Sequence, residues 1–173
     1  MSIATDIIAT YRSPRQVMRR LLGMGVREDR ALIYLMLGCG LVFVAQWPRL
    51  ARQAQLDESV PLDALLGGAL LGWLFLAPLG LYAIAAASRA IASLLGGRGS
   101  WFSARLALFW SLLAASPLWL LTGLTAGVLG PGAAQNLTGL LALATFLIFW
   151  LMSLLETERP ASPPSKPQPK VPA

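Results

Sequence analysis

The longest uninterrupted feature of the chain is apolar: from Leu106 to Leu155 there is no Asp, Glu, Lys, Arg or His. That is more than twice the roughly 20 residues a helix needs to cross a bilayer core, so the stretch predicts two spans. Gly130-Pro131-Gly132 divides them, since glycine costs a helix about 1 kcal/mol and proline lacks a donor and clashes with the preceding turn. Spans over 102–129 and 133–155 follow. Upstream, the apolar stretch 31–47 is closed by Pro48, with Tyr34 and Trp47 placed as interfacial anchors and Gly38, Cys39 and Gly40 forming a narrow point. A polar connection carries Arg49, Arg52, Asp57, Glu58 and Asp63, and Pro61 reopens helix. The next span covers 62–87, with helix continuing toward Leu95, and Pro78 with Gly80 predicts a kink in it. The pattern specifies an all-α fold: a polytopic transmembrane helical bundle with four spans, in a membrane domain over 31–155.

The flanks differ. Residues 1–30 form a basic, amphipathic N-terminal segment expected on the cytoplasmic side. Met1 to Tyr11 reads as a short, weakly polar start. Ser13 is then a candidate cap with Pro14 at the first helical position. Val17, Met18, Leu21 and Leu22 make an apolar side, Arg15, Arg19 and Arg20 cover the other, and Gly23 and Gly25 stop the helix. Such a helix is expected to lie in the headgroup layer, apolar side down. The simpler alternative is a juxtamembrane basic segment without lipid specificity. Arginines run on to Arg30 before the first span, so no cleaved leader is expected. At the other end, residues 156–173 read as a disordered, Pro-rich cytoplasmic tail.

Composition agrees with a lipid solvent: 56% of residues are hydrophobic and only 13% charged, about half of what a soluble domain carries. The formal net charge of +6 invites a nucleic-acid reading. The arginines, however, flank apolar spans instead of gathering on a soluble face, which argues against it. Histidine is absent and Cys39 is the single cysteine. The commonest general base, an internal disulfide and a cysteine-built metal site are thereby removed, and no cofactor is expected.

Two kinds of candidate residue remain. Gly68 with Gly72, and Gly123 with Gly127, have the small-xxx-small spacing that lets helices approach closely. Ser111, Ser116, Thr122 and Thr125 are expected to bond their own helix backbone around Pro117. The run Gly96-Gly97-Arg98-Gly99-Ser100-Trp101 ends one helix and opens the next, with Ser100 as cap; it lacks the Lys-Ser/Thr of a phosphate-cradling loop. Arg89, Arg98 and Arg105 surround this turn and, with Arg15, Arg19 and Arg20, are candidates for contact with anionic lipid headgroups. Asn136-Leu137-Thr138 matches the glycosylation pattern but lies too close to a span to be reached. The basic clusters at 1–30, around 89–105 and at Arg159, Lys166 and Lys170 all reach one side if both termini and the middle turn are cytoplasmic.

Ser13-Pro14-Arg15 leading through Arg19-Arg20-Leu21-Leu22 into the first span, then Leu94-Leu95-Gly96-Gly97-Arg98-Gly99-Ser100-Trp101 and Ala104-Arg105-Leu106-Ala107-Leu108, resemble a bacterial, alphaproteobacterial-type member of the Yip1 family of small multi-span proteins. The resemblance covers most of residues 12–155. It implies a multi-pass protein of the bacterial cytoplasmic membrane; family members usually have five spans, whereas this chain supports four.

Three functional classes follow. The residues favour a non-enzymatic integral membrane protein working by helix packing, as scaffold, assembly factor or accessory subunit, with membrane lipids and a membrane complex or homo-oligomer as partners. The alternative is a small-solute transporter or channel formed by a homo-oligomer, hinged at Pro78 and Pro117. Ion or proton carriage would call for ionisable groups in mid-membrane, and the four cores have none. An enzyme is disfavoured because Asp57, Glu58 and Asp63 have no histidine, cysteine or lysine beside them to form a nucleophile and base pair.

Overall fold

The computed structural model describes residues 2–57 and 59–158, and among these there is helix and no strand. In chain order the helices are α1 (Ile3–Arg12), α2 (Pro14–Gly23), α3 (Glu28–Leu56), α4 (Leu62–Leu71), a π-helical turn at Gly72–Leu76, α5 (Ala77–Leu94), α6 (Trp101–Ala114), α7 (Ser116–Val128) and α8 (Ala133–Thr157). Three helical stretches are long and apolar enough to cross a membrane: Glu28–Leu56, Leu62–Leu94 and Ala133–Thr157. Helices α6 and α7 meet the same test only as a pair, bent by 43° at Ala115. The protein is thus an all-helical, multi-span membrane bundle.

At its centre is α6. Every residue from Phe102 to Ala114 except Arg105 is buried, Trp110 and Phe109 completely. A helix apolar on all sides has no solvent-facing stripe and belongs inside a ring of others. That ring is α3, α5 and α8, with α1 closing one end. The aromatic edges fit accordingly: Tyr34 of α3 meets Trp110 at 5.0 Å between ring centroids, and Tyr82 of α5 meets Phe109 at 5.0 Å, both edge-on.

Prolines divide differently from the sequence expectation. Pro48 does not close the first span: α3 runs through it to Leu56. The proline leaves the Val44 carbonyl without its usual donor, a cost of about 3 kcal/mol in an isolated helix. Packing of α7 against Ala45 and Pro48, on both sides of the defect, holds the helix together. Pro78 does distort its span, as a widened turn: the Ala77 N–H bonds the Gly72 carbonyl five residues back. A proline unable to bond the Leu74 carbonyl is thereby absorbed without ending the helix. Pro117 breaks the expected continuous span at 102–129. Helix α6 stops, and Pro117 sits in the first turn of α7, where its missing donor has no partner to lose.

The N-terminal residues also depart from expectation. Residues 3–12 are a helix, capped by Ser2, whose Oγ accepts from the Thr5 N–H at 3.4 Å. Thr10 of α1 is fully buried and its Oγ1 accepts from the Trp110 indole N–H at 3.2 Å, while Tyr11 meets Phe149 of α8 edge-on at 5.1 Å. In α2, Pro14 opens the helix as expected, but the Ser13 side chain makes no capping bond. The apolar side of α2 does not face lipid: Val17, Met18 and Leu21 are buried in the core and the helix packs on α8. Glu156 and Thr157, assigned above to the tail, are buried residues of α8; the tail expected from residue 159 onward lies outside the described residues, as does Glu58.

Long-range polar contacts fix the ends of the bundle. Arg105, near the start of α6, pairs with Glu28 at the start of α3, and Arg19 of α2 pairs with Glu156 at the end of α8. Arg89, near the end of α5, pairs with Glu158 just after α8. These segments therefore share one end, which we call the basic end. At the opposite end, Arg52 of α3 donates to the carbonyls of Gly127 and Val128 at 3.2 Å, completing the C-terminus of α7.

Candidate functional site

The basic end is where chemistry-bearing side chains collect, and its organiser is the turn between α5 and α6. Helix α5 finishes in a Schellman arrangement: the Gly97 N–H bonds the Ala92 carbonyl at 2.8 Å and the Gly96 N–H bonds that of Ser93 at 3.1 Å. This requires Gly96 in the left-handed region, at φ +82°. Helix α6 then opens with a capping box. Ser100 Oγ accepts from the Ser103 N–H at 3.0 Å, and Ser103 Oγ accepts from the Ser100 N–H at 2.9 Å.

Glu158 closes on this turn from α8. Its Oε2 accepts from the Gly99 N–H at 2.7 Å and stands 3.6 Å from Arg89 Nη1. Arg89 in turn reaches the Gly97 carbonyl at 3.5 Å. A Cβ at Gly97 or Gly99 would lie 2.9 Å from the Glu158 carboxyl carbon and closer still to one of its oxygens, so the two glycines make room for the acid. Both partners are largely buried, with side-chain exposures of 13% for Arg89 and 15% for Glu158. A second acid, Glu156, is 6% exposed and takes two bonds on one oxygen from Arg19, at 2.9 Å from Nε and 2.7 Å from Nη2.

The headgroup candidates separate on this geometry. Arg19, Arg20, Arg89 and Arg105 are paired with Glu156, Asp6, Glu158 and Glu28, and Arg105 also stands over the Tyr82 ring, 5.9 Å from its centroid. Arg15 on α2 and Arg98 on the glycine-rich turn are exposed. Sequence reasoning placed Glu156 and Glu158 in the tail and gave them no role at this end. The signal was present: two acids directly after an uncharged span that ends on the arginine-rich side.

The packing candidates separate as well. Gly123 and Gly127 of α7 are pressed against α3, Gly123 on the backbone of Ala45 and Gly127 on Pro48. Gly68 and Gly72 face open space, with nothing within 4 Å of an added Cβ. The sequence pattern alone cannot tell these two pairs apart, because both have the same spacing.

At the opposite end, Asp57 accepts from the Ser59 N–H at 3.0 Å, and hydrogen bonding by Ser59 holds its carboxyl below the usual aspartate range. Among the described residues no group of three or more His, Cys, Asp or Glu is arranged to hold a metal ion. Comparison with protein-family models, with curated proteins and with solved structures gives no match to this chain.

Proposed function

We propose that this is a four-span protein of a bacterial cytoplasmic membrane that works by helix packing, as a scaffold, assembly factor or accessory subunit, with no reaction of its own. The observation that carries the reading is the helical stretch Leu62–Leu94. None of its most apolar window is buried within the chain, against 39% for Glu28–Leu56. Along it Gly68 and Gly72 leave a smooth, open face, where van der Waals packing rather than burial from water drives association in lipid. Counting α6 and α7 as one bent span gives four passes. The basic end then lies in the cytoplasm with both termini, because basic residues favour that side. The bacterial setting rests on the resemblance to the Yip1 family.

The test is purification of a tagged copy from its native membrane in mild detergent, with size analysis and mass spectrometry. A stoichiometric membrane-protein partner, lost in Gly68→Leu and Gly72→Leu variants that still fold, supports the reading. A clean monomer in both forms removes it. A reporter fused after residue 173 reports the orientation, and an external signal would reverse it.

A solute passage through a homo-oligomer is the competing reading. The π-helical turn at Gly72–Leu76 favours it, since such turns give a span a hinge. Solute flux into liposomes carrying the protein would move the assignment to that class.

A further inference from the structure

We propose that the groove between the end of α5 and the end of α8 is a binding site for one anionic phospholipid, with an acyl chain in the groove and the phosphate at the glycine-rich turn. The proposal rests on the protein being embedded in a membrane, and it is independent of any protein partner. The groove has a volume of about 390 Å³ and its walls are chiefly hydrocarbon, from Ile91 and Leu95 on one side and Leu151 and Leu154 on the other. It opens on the outer surface of the bundle, beside Leu94 and Leu95, which are 87% and 83% exposed. Apolar side chains that project at the end of a span meet acyl chains near their headgroups, so the groove lies at the depth where a lipid changes from hydrocarbon to polar.

The polar end of the groove supplies the charge. Gly97 and Glu158 line it, and Glu158 is matched by Arg89, so that pair contributes no net charge. Arg98 follows Gly97 directly and is exposed, so the turn beside the groove carries an accessible positive charge. An anionic headgroup is the complement of that balance; a zwitterionic one gains nothing net from it. Trp150 forms part of the wall deeper along the groove.

The test uses the full chain, purified in mild detergent and titrated with phosphatidylglycerol or phosphatidylcholine, with bound lipid counted by native mass spectrometry. The expected result is one retained phosphatidylglycerol per chain, favoured over phosphatidylcholine by about fivefold, as one basic residue near the surface predicts. Arg98→Gln should abolish the preference while retaining lipid, and Leu154→Trp, which fills the groove, should release both lipids. Ala92→Phe fills the groove from the α5 side and serves if Leu154→Trp does not fold. Equal retention of the two lipids by the native chain, or unchanged retention in a folded groove-filling variant, overturns the proposal. So does a peptide or second copy of the chain crosslinked into the groove from residue 154. Recovery of the chain in the membrane fraction checks the embedding separately, so a failed lipid site and a failed membrane reading give different results.

Discussion

Gly123 stands against the backbone of Ala45 so closely that an added Cβ would lie 2.6 Å from the Ala45 carbonyl carbon and nearer still to its oxygen. The obstacle is main chain in the middle of a helix, which cannot turn aside as a side-chain end would. Gly127 repeats the relationship one turn later, 2.9 Å from the carbonyl carbon of Pro48. Alanine at 123 should therefore force α7 off α3 and cost about 1–3 kcal/mol, the range for overpacking. Gly68→Ala and Gly72→Ala meet open space and should be neutral or stabilising in the isolated chain, by up to about 1 kcal/mol. Thermal unfolding in detergent of the three single variants checks the contrast. A Gly123→Ala protein as stable as the native one would mean that the helices part easily there.

Thr10 gives a second prediction. Its Oγ1 is the acceptor for the buried Trp110 N–H and itself donates to the Asp6 carbonyl at 2.8 Å. Thr10→Val keeps the shape and strands the indole donor, a loss of about 1–3 kcal/mol. Thr10→Ser should recover most of it. Limited proteolysis at Arg12 is the sensitive readout, because the residue is already exposed and its backbone resists cleavage only while α1 stays docked and helical. Equal protection in the valine variant would show that aromatic packing alone holds α1.

The Arg89–Glu158 pair predicts an asymmetric outcome. Removing the arginine leaves a largely buried carboxylate without its counter-charge, and Arg89→Ala should cost about 3 kcal/mol. Glu158→Gln retains an acceptor for the Gly99 N–H and should cost less. Hydrogen exchange at Gly99 separates the two roles: exchange should accelerate in Glu158→Ala and stay slow in Glu158→Gln. Fast exchange in the native chain would mean that the acid does not close on the turn in solution.

Asp57 predicts a pH effect. Hydrogen bonds from Ser59 favour its ionised form, so the folded carboxyl titrates below the usual aspartate range. A lowered folded-state value makes the contribution present above the unfolded aspartate pKa and lost as pH falls through the folded one. Ser59→Ala should move the titration upward toward the ordinary value. Carboxyl-carbon NMR of Asp57 against pH measures this, and coincident titrations in the two proteins would remove the assignment.

The apolar pattern was enough to find the membrane class and where the helical stretches from residues 62 and 133 begin, because lipid demands unbroken hydrocarbon over a fixed length, but it stopped α3 at Pro48, short of its end at Leu56. Prolines were harder to read. Pro48, Pro78 and Pro117 each remove one donor, yet the first lies within a continuing helix, the second widens a turn and the third follows a break. What separates them is the neighbour: Pro48 is braced by Gly127, a contact far away in sequence. Helix α1 was legible in retrospect, with Ser2 as cap, Asp6 in the first turn and Arg12 in the last. Its length, too short for a helix stable alone, hid it. The basic end was half legible. Ser100 and the glycines follow from local turn chemistry, whereas the acids that answer the arginines come from α8, over fifty residues on.

Helix α6 sets an order on assembly. It precedes α8 in the chain, and α8 supplies one wall of its surround, so α6 enters the membrane before its final neighbours exist. Until α8 arrives, α6 lacks that wall and lipid must occupy that side. Closure also brings Glu156 and Glu158 to the arginines of α2 and α5, so burial of the centre and neutralisation of the basic end happen in one step. A chain cut short before residue 133 would keep an open centre and an excess of positive charge at its base, two features by which a cell could tell an unfinished copy from a finished one.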